Sequence, residues 1–307
     1  MLCLWLLVGI VLLWGRAADG QPVDSMRVEK NDITNVASFA NAQSLAATSD
    51  GRLYVADAGT DAVVVLDTLG TRLRTLGGAG TGAGSFNAPS DVEPTNGLTL
   101  LVADAGNGRI QRFTDEGRFI ESLPVGEIDE RSGGGRPTFD RGEDAATVQP
   151  DGRPIAVVST SANETRAIDA AAGVVRMWDA ARRPDGVIGG FGQRAGALGE
   201  PVSLALDAQN RLYVADRDLG AVLVYDRFGT YRTTLPARPD VRAVGVRGDR
   251  VYVVSPGRIE GLDTMSHHVV QVWAGAGLDR AVDAAMVRGR LYVLTPTRLL
   301  RVARSGF

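Results

Sequence analysis

The sequence predicts an all-β protein: a six-bladed β-propeller of four-stranded antiparallel blades, its ring closed by an N-terminal strand. Three observations predict it. A short apolar, β-prone run returns six times, a tight-turn signal precedes each run, and beyond residue 14 no apolar period of 3.6 residues is sustained. The runs are Leu53-Tyr54-Val55-Ala56-Asp57, Leu100-Leu101-Val102-Ala103-Asp104, Ile155-Ala156-Val157-Val158-Ser159, Leu212-Tyr213-Val214-Ala215-Asp216, Val251-Tyr252-Val253-Val254-Ser255 and Leu291-Tyr292-Val293-Leu294-Thr295. Their starts lie 47, 55, 57, 39 and 40 residues apart, near the roughly 40 to 50 residues that one four-stranded blade uses.

Taken in chain order, the first element is not globular. Residues 2–14 are an uncharged apolar run of 13 residues, shorter than the roughly 20 of a membrane-spanning helix and suited to the core of a signal peptide. Ala17, Ala18 and Gly20 follow as a cleavage site, although Met1-Leu2-Cys3-Leu4 carries no basic residue. Residues 1–20 therefore read as a signal peptide or N-terminal anchor, and 21–307 as a single propeller domain. The expected location is the periplasm, cell envelope or extracellular space, with membrane contact only if the segment stays uncleaved. Cys3 is the only cysteine and leaves with a cleaved signal, which excludes disulfides, thiolate nucleophiles and cysteine metal sites from the mature chain.

The turns Asp50-Gly51, Asn96-Gly97, Asp151-Gly152, Gln209-Asn210, Gly248-Asp249 and Gly289 stand before the runs. Such pairs supply the positive φ of two-residue hairpins, so each run reads as the second strand of a hairpin. In the fourth unit, 202–206 reads as the inner strand, 212–215 as the second, 221–225 as the third and 231–235 as the outer one. Apolar residues at successive positions fit sheets covered on both faces. Segment 77–89 aligns without a gap to 189–201. No helix pattern follows these glycines and no lysine is near, so they suit a blade-to-blade crossing rather than a phosphate cradle. The last unit supplies only strands 284–287, 291–294 and 298–302, and residues 26–39 are expected to be its outer strand.

The Gly-rich loop, Phe86, Pro89, the Leu-Tyr-Val-Ala-Asp strand and Ala105-Gly106-Asn107-Gly108-Arg109-Ile110 together resemble the NHL repeat, which builds six-bladed propellers. The resemblance covers blades one, two and four, about 140 residues. Blade three lacks the aspartate and is swollen by residues 160–172, while Ser255 and Thr295 replace the aspartate in blades five and six, whose turns should differ. NHL-like propellers include the peptidyl-hydroxyglycine amidating lyase, and that likeness implies a zinc on three histidines. This chain has two, His267 and His268, adjacent in sequence and so on opposite faces of any strand. The related lactonase-type and strictosidine-synthase-like propellers imply acids around the axis, for which Glu93, Glu143, Asp144, Asp207 and Asp283 are candidates.

Composition narrows the chemistry. Thirty-six acids against 33 bases give a net charge of -3, which points away from nucleic acid, and Lys30 is the only lysine, leaving no Schiff-base or P-loop candidate. There is no G-x-S-x-G and no H-E-x-x-H, so no catalytic residue, metal site or cofactor is assigned. Asp57, Asp104 and Asp216 recur at one blade position and read as acceptors for turn N–H groups. Residues that break the pattern are better site candidates: Arg109, Arg217, Asp218, Arg258 and Arg298 between second and third strands, and the excursions 124–145 and 160–172. The expected protein is a monomeric exported scaffold that binds a protein, peptide or glycan through its loop face. The alternative is a lactonase- or lyase-like hydrolase with a divalent metal near the axis.

Overall fold

The computed structural model describes residues 23–126, 151–190 and 195–303; the signal segment, the acid- and arginine-containing part of the first excursion, Glu143 and Asp144 lie outside the described residues. The described chain forms six sheets, each with an antiparallel four-stranded core, ranged around a central channel. Blade one is Ala42–Ala47, Leu53–Asp57, Ala62–Leu66 and Arg72–Gly77, from the axis outward. Blade two is Pro89–Glu93, Thr99–Asp104, Arg109–Thr114 and Phe119–Pro124. Blade three is Pro154–Ser159, Thr165–Asp169, Val174–Trp178 and Pro184–Gly189, and blade four is Pro201–Leu206, Leu212–Asp216, Ala221–Tyr225 and Tyr231–Pro236. Blade five is Ala243–Arg247, Arg250–Ser255, Arg258–Asp263 and Val269–Ala274. Blade six is Asp283–Val287, Arg290–Thr295 and Arg298–Val302, completed by Ile33–Ser38 from the N-terminal side. This alternation of strand directions puts the turns between second and third strands and the blade crossings on one face, called upper here. The other two turns of each blade lie on the lower face.

Packing explains why the runs are continuously apolar. Every residue of the second and third strands of blades one and four is buried, because each sheet has a neighbour on either side. Six apolar clusters fill the six seams, for example Tyr54, Val63 and Phe86 with Val102 and Phe113 between blades one and two. The self-similar crossings share a plug. Gly77 holds φ 88° and Gly189 φ 89°, and a Cβ on either would stand 2.2 Å from Phe86 or 2.5 Å from Leu198, the residue nine further on in each copy. Glycine is required there by both the backbone and the space.

The aspartates at the ends of second strands fasten the upper face. Asp57 accepts N–H groups of Ala40 and Asn41 from the incoming crossing and of Gly59 from its own turn; Asp216 does the same for Gly199, Glu200 and Leu219. They are structural acceptors, as their recurrence implies, and they reach the crossing as well as the turn.

Two expectations are corrected. The run Ile155 to Ser159 is the inner strand of blade three, not a second strand; the second strand is Thr165–Asp169. Blade three therefore has its aspartate in Asp169, which accepts from Arg153 N, Ala171 N and Arg176 Nε, and residues 160–172 are its ordinary hairpin rather than an excursion. The second correction concerns closure. Ile33–Ser38 pairs antiparallel with Arg298–Val302 and closes blade six as expected, but Asp24–Arg27 is a separate strand that adds in parallel to Val269–Ala274 of blade five. The N-terminal segment thus spans two blades, with Val28 buried between them.

Candidate functional site

The inner strands enclose a channel of about 1000 Å³. One position on these strands, the residue opposite Ala56, Ala103, Ala215 or Leu294 of the second strand, is Ser44, Asp91, Ser203 or Asp283. Three of these side chains stitch a seam. Asp283 accepts the N–H of Leu45 at 2.7 Å, Asp91 that of Val157 at 2.7 Å, and the Ser203 hydroxyl that of Val244 at 3.2 Å. Blade six is thereby tied to one, two to three and four to five: every second seam of the ring. Each aspartate also accepts the N–H of the residue after it, Ala284 at 2.7 Å and Val92 at 2.8 Å.

The channel wall changes the acidity of these groups. Burial pushes Asp91 up to about 6 and Asp283 to about 7, against backbone hydrogen bonds that pull the other way. Glu93, one turn of the pleat beyond Asp91, is pushed up to about 8 by burial and then by the charge of Asp91. A carboxyl of this kind stays protonated at neutral pH and can give a proton. Asp207 also lines the channel, but it is consumed by its turn, accepting the N–H groups of Gln209 and Arg211, the Arg211 guanidinium at 2.5 Å and the Tyr213 hydroxyl. Asp91 escapes notice in sequence because an isolated aspartate in a strand has no motif. Its standing two residues after a proline, like Ser203, is the one signal that could have found it.

The upper-face arginines divide into engaged and free. Arg109 pairs with buried Asp104 at 2.8 Å and donates to the carbonyls of Gly82 and Ser85, so its guanidinium braces the first crossing. Arg258 pairs with Glu260 at 2.8 Å. Arg298 is exposed and makes no side-chain ion pair with a described residue. These three do share a blade position, each opening a third strand opposite Asp104, Ser255 or Thr295. Arg217 does not: the third strand of blade four opens with Ala221, and Arg217 is the first residue of the turn before it, beside exposed Asp218. Its position turns it to the axis instead. Arg217 lines the channel, pairs with Glu200 at 2.9 Å and keeps a buried Nε that has no partner among the described residues. Arg242, immediately before the inner strand of blade five, also lines the channel and is exposed and without an ion pair to a described residue. Arg242 was not among the sequence candidates, since it follows the crossing rather than standing in a turn between strands.

Both histidines sit in the lower-face turn that precedes Val269, not on a strand, and neither lines the channel. His267 has φ 60°, packs edge-on to Tyr213 and is held below the usual histidine range by burial. Among the described residues no three His, Cys, Asp or Glu side chains gather as metal ligands.

No family model matches the chain. Among solved structures it is similar to a streptogramin B lyase, with a TM-score of 0.60 and 9% identity over 88% of this chain and 96% of that one. It is similar to the WD40 repeats of RRP9, with a TM-score of 0.60 and 10% identity over 91% and 99%. A structure of a nidogen/laminin complex matches with a TM-score of 0.55 and 15% identity over 80% of this chain and 84% of that one. At these identities the likeness shows the fold alone: a six-bladed β-propeller.

Proposed function

We propose that the chain is a non-enzymatic binding propeller of the NHL-repeat type, exported from the cytoplasm, which receives a carboxylate-bearing peptide or protein segment at the upper mouth of its channel. The observation that carries this reading is the pair Arg217 and Arg242 on the channel wall, one half-neutralised by Glu200 and the other without an ion pair to any described residue. Arginine presents a planar fork that matches a carboxylate, and a charge-assisted contact shielded from water contributes about 1.5 to 3 kcal/mol. Arg298 extends the positive surface on the same face, while Arg109 and Arg258 are spent on internal pairs. The comparison structures include a nidogen/laminin complex, which supports a scaffold role.

The test is calorimetric titration with acidic and neutral peptides of matched length. Replacing Arg217 and Arg242 together with alanine should weaken acidic-peptide binding tenfold or more without moving the melting temperature appreciably. Equal binding by the double variant overturns the reading. Export is tested separately by mass spectrometry of envelope fractions, where a new N-terminus between residues 18 and 22 is expected.

The hydrolase or lyase reading has one observation in its favour, the placing of Glu93 two residues from Asp91 on the channel wall, where burial pushes its carboxyl up to about 8. It lacks a metal-ligand cluster among the described residues and a channel histidine. Ester or lactone turnover abolished by Glu93→Gln would decide for it.

A further inference from the structure

One level of the channel wall carries an acid arc. Asp283, Ser44 and Asp91 stand on blades six, one and two, which are consecutive in the ring, opposite the corresponding second-strand residues Leu294, Ala56 and Ala103. Asp91 and Asp283 each accept two backbone N–H groups, one on each carboxylate oxygen, which leaves about half of the lone-pair directions of each carboxylate open. Ser44 is different. Position for position it would take the N–H of Val92 in the next blade, as Asp283 takes that of Leu45 and Ser203 that of Val244, but Asp91 holds that donor itself at 2.8 Å. The Ser44 side chain is left over: it is 8% exposed, lines the channel, and its hydroxyl has no hydrogen-bond partner among the described residues. It lies close enough to Asp91 to draw the pKa of that carboxyl down, and Asp283, on the far side of blade one, feels the charge of Asp91. A buried hydroxyl without a partner calls for one from outside the chain.

The cations at this end of the channel stand across the ring. Of the four arginines on the wall, Arg52 and Arg247 belong to the lower end, and Arg217 and Arg242 to the upper. In a ring of six, blade four faces blade one and blade five faces blade two, so the acid arc looks across the channel at the two arginines. The other acids on the wall, Asp50, Glu93 and Asp207, stand nearer the lower face. A primary ammonium carries three N–H donors on a compact head, and the arc offers an acceptor from each of three side chains. A calcium ion takes about six to eight oxygen ligands, and among the described residues no three His, Cys, Asp or Glu side chains gather as metal ligands.

We propose that the ligand of the upper mouth is bipolar: its primary ammonium sits in the arc of Asp283, Ser44 and Asp91, and its carboxylate on Arg217 and Arg242. The carboxylate half rests on the function proposed above, and the ammonium half stands on the arc alone. The ammonium is that of a peptide N-terminus or of a lysine side chain, which present the same three donors.

Three acidic peptides of one length test this: one with a free N-terminus, one N-acetylated, and one N-acetylated with a single lysine. They are titrated calorimetrically into the full chain between the values of the two carboxyls, about 6 for Asp91 and about 7 for Asp283, in two buffers of different ionisation enthalpy. At least one amine-bearing peptide should bind about tenfold tighter than the lysine-free acetylated one. Its binding should also release protons, because an ammonium in the arc favours the ionised carboxylates. The tighter of the two identifies the source of the ammonium. Ser44→Ala, which breaks no seam bond, and Asp91→Asn should each reduce the preference by about threefold, with melting curves checking that both fold. Arg217→Ala combined with Arg242→Ala should weaken all three peptides alike and leave the preference in place. N-acetyl-lysine amide, an ammonium without a carboxylate, separates the two halves: proton release on its binding at millimolar concentration upholds the arc even where the arginine pair proves idle. Equal affinity of the parent for all three peptides, tighter binding of the lysine-free acetylated one, or a preference unchanged in both Ser44→Ala and Asp91→Asn overturns the assignment.

Discussion

Asp283 and Leu45 stand 238 residues apart in sequence, and the carboxylate of the one accepts the backbone N–H of the other at 2.7 Å. The bond crosses the seam between the last blade and the first. Asp283→Ala leaves the Leu45 N–H without its acceptor inside a packed wall, at a cost of about 1 to 3 kcal/mol. Asp283→Asn keeps an oxygen at the same place and should cost less. Chemical denaturation of the two variants checks the order; an alanine variant as stable as the parent would mean that the N–H finds another acceptor.

Stability should fall as pH rises from about 5 to about 9. Asp91, Glu93 and Asp283 have folded pKa values of about 6, 8 and 7, above their ordinary 3.8, 4.5 and 3.8. The native state binds more protons than the unfolded chain across that interval, so each unit of pH shifts the balance toward unfolding until the highest folded pKa is passed. Glu93→Gln should flatten the upper end of the profile, because Glu93 titrates last. At the acid end the trend reverses. Asp67, Asp179 and Asp263 are held below the usual carboxylate range chiefly by backbone hydrogen bonds in lower-face turns, and that contribution is lost when they protonate. Melting temperature against pH, parent against variant, is the measurement.

Arg109 and Arg298 should behave differently although they share a blade position. Arg109→Ala removes the ion partner of the fully buried Asp104 carboxylate, which keeps the Asn87 N–H and the Asn107 and Gln111 side-chain amides as donors, and frees two carbonyls, at an expected cost of about 1.5 to 3 kcal/mol. Arg298→Ala removes an exposed side chain with no ion partner among the described residues and should change stability by less than about 0.5 kcal/mol. Thermal melts of both, run side by side, test whether the brace is real.

Two truncations separate the two N-terminal strands. Removal through residue 39 deletes the strand that closes blade six and exposes an unpaired edge, so aggregation or loss of cooperative melting is expected. Removal through residue 27 deletes only the parallel strand on blade five, and a cooperative transition at lower temperature should remain. A closure-deleted chain that melts like the parent would refute the role of Ile33–Ser38.

The ring was legible because five blades advertise their second strands as apolar runs after a hairpin turn. Blade three was misregistered for a physical reason. Its second strand, Thr165–Asp169, carries Arg166, whose guanidinium is buried against the carbonyls of Asn210 and Arg227 in the neighbouring blade. A buried arginine leaves no hydrophobic pattern, whereas the inner strand beside it, following Asp151-Gly152, imitates one. The candidate site was legible in part. Arg217 announces itself by standing in a turn, but the value of Arg242 depends on the channel it borders. The partnership of Asp91 with Val157 depends on which blade lies next to which, a relation that no local pattern encodes.

The clasp also orders events in time. Ile33–Ser38 is made long before its partner Arg298–Val302, so the ring cannot shut until that later strand has left the ribosome. Single blades can zip as local hairpins, but the long-range pairing that completes the sheet of blade six waits for Arg298–Val302 and carries the loop-closure entropy of all the chain between the two strands. A propeller built this way stays an open row of blades until its sixth sheet has both of its ends to pair.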